Sequence, residues 1–206
     1  MRIAKRVAEE LGYDIEIVKT EWDGLVPSLL SGNIDVIIAG MSPTAERMAT
    51  IDFTDPYYES ELVIVVRKDG AYANAASLAD FAGAKITGQL NTFHYTVIDQ
   101  IPGVNKAMAM ETFPAMIVAV QSGAVDGYVA EEDGAQADTA ANPDLTYIKF
   151  DEGKGFETSE ADTSIAVGLA KGSDLLGPIN EILAGIDDAA RDELMAGAKE
   201  RQPLNQ

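Results

Sequence analysis

The sequence predicts an α/β protein of two lobes, with parallel-type sheets flanked by helices and one lobe inserted within the other. Three observations predict it. Short apolar runs alternate with helix-period segments along most of the chain. Two of these runs, Ile34–Ala39 and Leu62–Val66, are nearly continuous, as in strands covered on both faces. The alternation breaks at a polar, alanine-rich link after Arg67-Lys68-Asp69-Gly70 and restarts at Lys85. Crossings near residues 66 and 165 then divide the chain into a discontinuous lobe, 1–66 with 165–206, and an inserted lobe, 67–164.

The elements follow in order. Ile3, Ala4, Val7, Ala8 and Leu11 form one helix face, which Gly12 can end. Residues 13–18 alternate Asp14, Ile15, Glu16 and Ile17, the period of a strand. Asp23 can cap a helix carrying Leu25, Val26, Leu29 and Leu30, with Gly32 at its end. Pro27 is tolerable there because it lies near the first turn. Thr44 caps a short helix after the Ile34–Ala39 strand. Beyond Lys85, Ile86–Gln89 reads as a strand, Thr92–Gln100 and Thr112–Ser122 as helices, and Val125–Ala130 as a strand. Asp151–Asp162 is a polar loop, Thr163–Ala170 a strand, and Leu175–Ala184 and Asp188–Glu200 are helices.

Composition narrows the function. Of 206 residues, 15 are Lys or Arg and 34 are Asp or Glu, a formal charge of −19. A chain this acidic repels a phosphate backbone, so nucleic acid is not an expected partner. With no cysteine there is no disulfide, cysteine metal site or thiol nucleophile. No apolar run reaches the ~20 residues that span a bilayer, and Met1–Val7 lacks the apolar core of an export signal. No phosphate-binding glycine loop, zinc spacing or nucleophile elbow occurs, so no metal, cofactor or catalytic set is expected.

Four segments carry candidate chemistry. The first is Gly40-Met41-Ser42-Pro43-Thr44-Ala45-Glu46-Arg47, followed by Asp52-Phe53-Thr54-Asp55-Pro56-Tyr57. It sets backbone N–H groups, a hydroxyl and a guanidinium fork at a strand end, where they can grip a carboxylate. The second is Lys85–His94, a strand leading through Gly88-Gln89-Leu90-Asn91-Thr92-Phe93 into a helix. The third is Gly123-Ala124-Val125-Asp126-Gly127-Tyr128-Val129-Ala130-Glu131. The fourth is Trp22, the only tryptophan, whose face can stack on a cation. His94, the only histidine, has no Cys or His neighbour and reads as a solvated or capping residue.

These segments together resemble the extracellular solute-binding proteins of ABC transporters, in the family that binds polar amino acids. The resemblance covers nearly the whole chain and implies a periplasmic-binding-protein fold of type II, with a ligand clamped between two lobes by hinge closure. It implies that Gly40 offers a carbonyl to the α-amino group, Ser42 a hydroxyl and backbone N–H, and Arg47 the carboxylate grip. From the other lobe, Thr92 and Phe93 would meet the same carboxylate and Glu131 the ammonium. Asn91 stands where the family has glycine, and Glu131 where it has aspartate. Asn tolerates the left-handed backbone that such a turn needs. Thr44 and Asp126 are expected to be structural.

The resemblance also implies an extracellular or periplasmic location, membrane-associated in the full-length protein, and a permease as partner. The expected ligand is a free amino acid, cationic or polar given Trp22, Glu131 and the acidic lobes. Family members begin with a strand before the first helix, whereas here Met1 falls within that helix. An N-terminal truncation, loss of the export signal, reduced stability and repair by strand exchange or homodimerisation are expected from that. Two other functions fit the same fold. A dehydratase for cyclic acids would need Glu131 or His94 for proton transfer, and a sensor module would fuse the same lobes to a receptor.

Overall fold

The computed structural model describes residues 2–187 and 190. The chain divides into two compact units, one running to Glu59 and resuming at Ser159, the other Ser60–Thr158. The elements are α1 (Arg2–Leu11), α2 (Leu25–Leu30), β1 (Val36–Met41), α3 (Ala45–Thr50), β2 (Asp52–Phe53), β3 (Tyr58–Glu59) and β4 (Leu62–Arg67). They continue as β5 (Lys85–Thr87), α4 (Phe93–Thr96), β6 (Asn105–Lys106), α5 (Phe113–Gln121), β7 (Gly127–Glu131) and α6 (Glu132–Ala141). The last are β8 (Leu145–Ile148), α7 (Glu160–Thr163), β9 (Ser164–Leu169) and α8 (Leu176–Ala184).

In the first unit, β9 pairs antiparallel with each of β1, β2 and β3. One face of β9 packs Ile165, Val167 and Leu169 against Ile3 and Val7 of α1 and Ile179 and Leu183 of α8. Ile37, Met41, Ile51, Leu25 and Leu29 form a second cluster, with Trp22 half-buried at its side. Gly40 lies in β1 with φ +68, where the pairing with β9 shifts register. That conformation favours glycine, and it bends the strand end that leads into Ser42.

In the second unit the sheet order is β6-β5-β7-β4-β8. Leu62, Ile64 and Val66 of β4 enter one core, while Val63 and Val65 enter the core on the opposite face. Both faces of β4 are covered, as its unbroken apolar run implies.

Several expectations are corrected. The sheets are mixed, not parallel throughout. β5 is parallel to β6 and β7, while β4 is antiparallel to β7 and β8. Parallel pairing occurs where a helix carries the chain from one strand to the next. β4 and β9 enter from the other unit, so no crossover helix sets their direction. β4 also belongs to the second unit, because its partners are β7 and β8. The chain therefore crosses after Glu59 and after Thr158, earlier than 66 and 165.

Residues 13–18 form no strand. No described strand pairs with them, and Tyr13, Ile15, Ile17 and Val18 are exposed. Asp23 does not cap α2: it lies inside the 3-10 turn Trp22–Gly24, and the N-cap position falls on Gly24, which has no side chain to offer. The Ile34–Ala39 strand is displaced to Val36–Met41. The expected helix Asp188–Glu200 lies outside the described residues apart from Ala190.

Candidate functional site

In the first unit the strand end, the turn and α3 hold three of the predicted residues together. Thr44 is the cap of α3, its hydroxyl accepting from the Arg47 N–H at 3.4 Å. This fixes the first turn so that the Arg47 side chain turns back over the loop. Its Nη1 donates to the Ser42 carbonyl at 3.0 Å, and its guanidinium sits 5.4 Å from the Trp22 ring centroid. A cation over an indole face is attracted by the ring quadrupole, which fixes the plane of the fork. Trp22, expected to stack on a ligand, here meets the guanidinium of Arg47.

Ser42 is almost wholly buried. Its hydroxyl donates to the Asp162 carbonyl at 2.9 Å, at the end of a chain segment positioned by the Ser159–Asp162 capping box of α7. That hydroxyl has one hydrogen and it is committed. What Ser42 can still donate to an anion is its main-chain N–H. At the far end of α3, Lys171 donates to the Met48 carbonyl and to Asp52, and the Gly172 N–H donates to the same carboxylate. Lys171 and then the Gly172 N–H hold the Asp52 carboxyl below the usual carboxylate range.

In the second unit the predicted residues gather where β5 and β7 end. Gly88 is buried, and a Cβ there would lie 2.8 Å from the His94 carbonyl oxygen. Only glycine lets α4 start this close to the strand. Asn91 adopts φ +56, the only non-glycine residue with positive φ among the described residues. The turn expected of glycine is thus made by asparagine.

Thr92 is buried and stands at the cap position of α4, but its hydroxyl donates to the Gln89 carbonyl at 2.8 Å and accepts no helix N–H. Here too the single hydroxyl hydrogen is committed. Phe93 is half-buried against the core and packs against the His94 ring, centroids 4.5 Å apart.

Glu131 ends β7, opposite Leu62 of β4, and occupies the cap position of α6. Glu132 is turned away onto Lys149, which also meets Glu61. The Glu132 and Glu61 carboxylates push the Lys149 ammonium above its ordinary range. Asp126 is structural, accepting from the Lys85 N–H at 2.8 Å.

His94 departs from expectation. It is buried, not solvated, with Nδ1 3.3 Å from the Thr92 hydroxyl and Nε2 3.7 Å from Glu131 Oε1. The signal in the sequence was its place two residues after a threonine cap, where α4 turns it inward. Deeper in this unit, Tyr128 donates to Asp138 at 2.6 Å. Burial raises the Asp138 carboxyl despite that bond, and burial likewise raises the Tyr128 hydroxyl.

Among the described residues no helix is long and apolar enough to cross a membrane, and no group of acidic or histidine side chains has the spacing of a metal site.

Comparison with known proteins places the chain in a family. The profile described as bacterial extracellular solute-binding proteins, family 3, matches residues 1–195. A probable histidine-binding protein of Campylobacter jejuni is 32% identical over 192 residues, 92% of this chain and 70% of that protein. The arginine-binding extracellular protein ArtP of Bacillus subtilis is 26% identical over 91% of this chain and 71% of its own length. Among solved structures, an amino acid ABC transporter substrate-binding protein of Streptococcus pneumoniae bound to L-arginine superposes with TM-score 0.86. It is 25% identical and covers 97% of this chain and 81% of that one.

Proposed function

The chain belongs to the bacterial extracellular solute-binding proteins of family 3, and from that premise we propose that it captures a free amino acid for an ABC importer. The first unit supplies Arg47, the Ser42 N–H and the Gly40 carbonyl. The second supplies the Thr92 and Phe93 N–H groups and Glu131. Arg47 and the N–H groups take the α-carboxylate; Glu131 and Gly40 take the α-ammonium. The ligand is a cationic or polar amino acid, a reading supported by relatives named for histidine and arginine binding. The chain works outside the cytoplasmic membrane, releases its ligand to a permease and performs no turnover. The exposed run Tyr13–Val18 offers a backbone edge through which a second copy can pair.

The observation that carries this reading is the anchored Arg47. A guanidinium fixed by a carbonyl on one side and an indole on the other is preorganised for a carboxylate. The test is native mass spectrometry of the purified protein with an amino-acid panel. An amino acid that binds the wild type and is lost on Arg47→Ala supports the reading, and the same spectrum reports monomer or dimer. No mass gained with any amino acid refutes it.

A further inference from the structure

The second unit contains a buried acceptor problem whose solution bears on Glu131. His94 is 6% exposed, and its Nε2 is buried with no hydrogen-bond partner. On the other side of the ring the protonation is dictated by counting hydrogens. The Thr92 hydroxyl gives its one hydrogen to Gln89, so towards His94 it can only accept. Nδ1 must therefore carry a hydrogen. In a neutral ring this leaves a bare lone pair on Nε2, pointed at Glu131 Oε1 3.7 Å away. Two acceptors facing each other repel, and an unpaired buried acceptor is costly. A second proton, on Nε2, turns the repulsion into an ion pair.

The carboxylate within ion-pair distance of the ring is that of Glu131. Glu132, next in the chain, is held by Lys149, and Asp133 follows it into α6. From α5 the ring meets the edge of Phe113, and from α4 itself Phe93, both apolar.

We infer that His94 is the proton-bearing partner of Glu131: the imidazolium holds the carboxylate while the site is empty, and the ammonium of a captured amino acid displaces that proton. This rests on the proposed role of Glu131 in binding the ammonium. His94 is thus a positioning residue that makes capture proton-linked. Because the empty state binds the extra proton, affinity is weaker in acid and strengthens as pH rises. The limit for one released proton is about tenfold per pH unit.

The experiment uses the fact that His94 is the only histidine, so imidazole nitrogen NMR reports on it without ambiguity. Spectra are recorded from pH 5 to 8 for the wild type, Glu131→Gln and His94→Gln, with and without L-arginine, and calorimetry is run in buffers of different ionisation enthalpy. The expected results are an imidazolium in the empty wild type that, once neutral at the high-pH end, keeps its hydrogen on Nδ1, and a smaller imidazolium fraction at a given pH in Glu131→Gln. Arginine is expected to drive the ring towards neutral at constant pH, with proton release that vanishes in His94→Gln. An imidazolium fraction unmoved by Glu131→Gln, or a neutral ring protonated on Nε2, overturns the inference. So does arginine binding, seen in Trp22 fluorescence, with no change in ring charge. If no amino acid binds the wild type at any pH, the proposed capture function fails, and displacement with it. The imidazolium fraction in Glu131→Gln still decides the pairing of His94 with Glu131.

Discussion

Removing the Arg47 side chain is the most direct test of the proposed grip. Arg47→Ala deletes the fork but leaves the loop bonded, because the Ser42 carbonyl also accepts from the Thr44 N–H. The loss should fall on the ligand. A carboxylate deprived of a charged, two-pronged partner costs ~2–4 kcal/mol of affinity, about 30- to 700-fold in Kd. Trp22→Ala removes only the stacking contact at 5.4 Å, worth roughly 0.5–1 kcal/mol at a partly exposed site, or about two- to fivefold. The double variant separates the two roles of Trp22. If Trp22 acts by holding Arg47, the double variant binds no worse than Arg47→Ala alone. If Trp22 stacks on the ligand itself, its effect persists without Arg47. Isothermal titration with L-arginine, or with whichever amino acid the native mass spectrum identifies, reads all four proteins. An Arg47→Ala affinity within about threefold of wild type would refute the site.

Three further predictions concern stability. Gly88→Ala places a Cβ 2.8 Å from the backbone oxygen of His94, so α4 must shift; thermal unfolding should show a loss of ~1–3 kcal/mol, with ligand affinity falling in parallel. Asp138, raised by burial, binds its proton more tightly folded than unfolded, so it opposes folding increasingly as pH rises above its unfolded value. Asp138→Asn keeps an acceptor for Tyr128, and its stability relative to wild type should be greater at pH 7 than at pH 3 by urea titration. Asp52 has the opposite sign: its folded value is lowered, so its contribution is present at neutral pH and is lost as pH falls. Acid unfolding should therefore shift when Asp52→Asn removes that dependence, and an unchanged acid limb would count against the Lys171 and Gly172 contacts as its source.

The parts of the molecule written in local chemistry were legible in the sequence. Thr44 and Asn91 each do what their side chains favour at a cap or a left-handed turn. The covered strand β4 is an unbroken apolar run in sequence and is buried along both faces. What failed depends on distant partners. Strand direction is set by where the chain comes from, which an alternation of periods does not encode. The alternating run at 13–18 has the right period but pairs with no described strand. The Ser42 hydroxyl looked available because its acceptor, Asp162, is placed by the fold; the Thr92 hydroxyl is the exception, since its acceptor Gln89 lies three residues back. His94 looked solvated for the same reason: nothing local says that Glu131, far along the chain, will stand opposite it.

The pairing of β1, β2 and β3 with β9, the one partner they have among the described strands, has a consequence for how the chain emerges from the ribosome. The first fifty-nine residues are synthesised early, yet the strand that organises their sheet arrives only after Thr158. Until then β1, β2 and β3 lack the strand they pair with. The intervening unit is continuous in sequence and holds its own strands, so it can finish while the first unit is still waiting. A nascent chain stalled before Ser164 should therefore carry one protease-resistant body and one sensitive arm, and the arm is the half that carries Arg47.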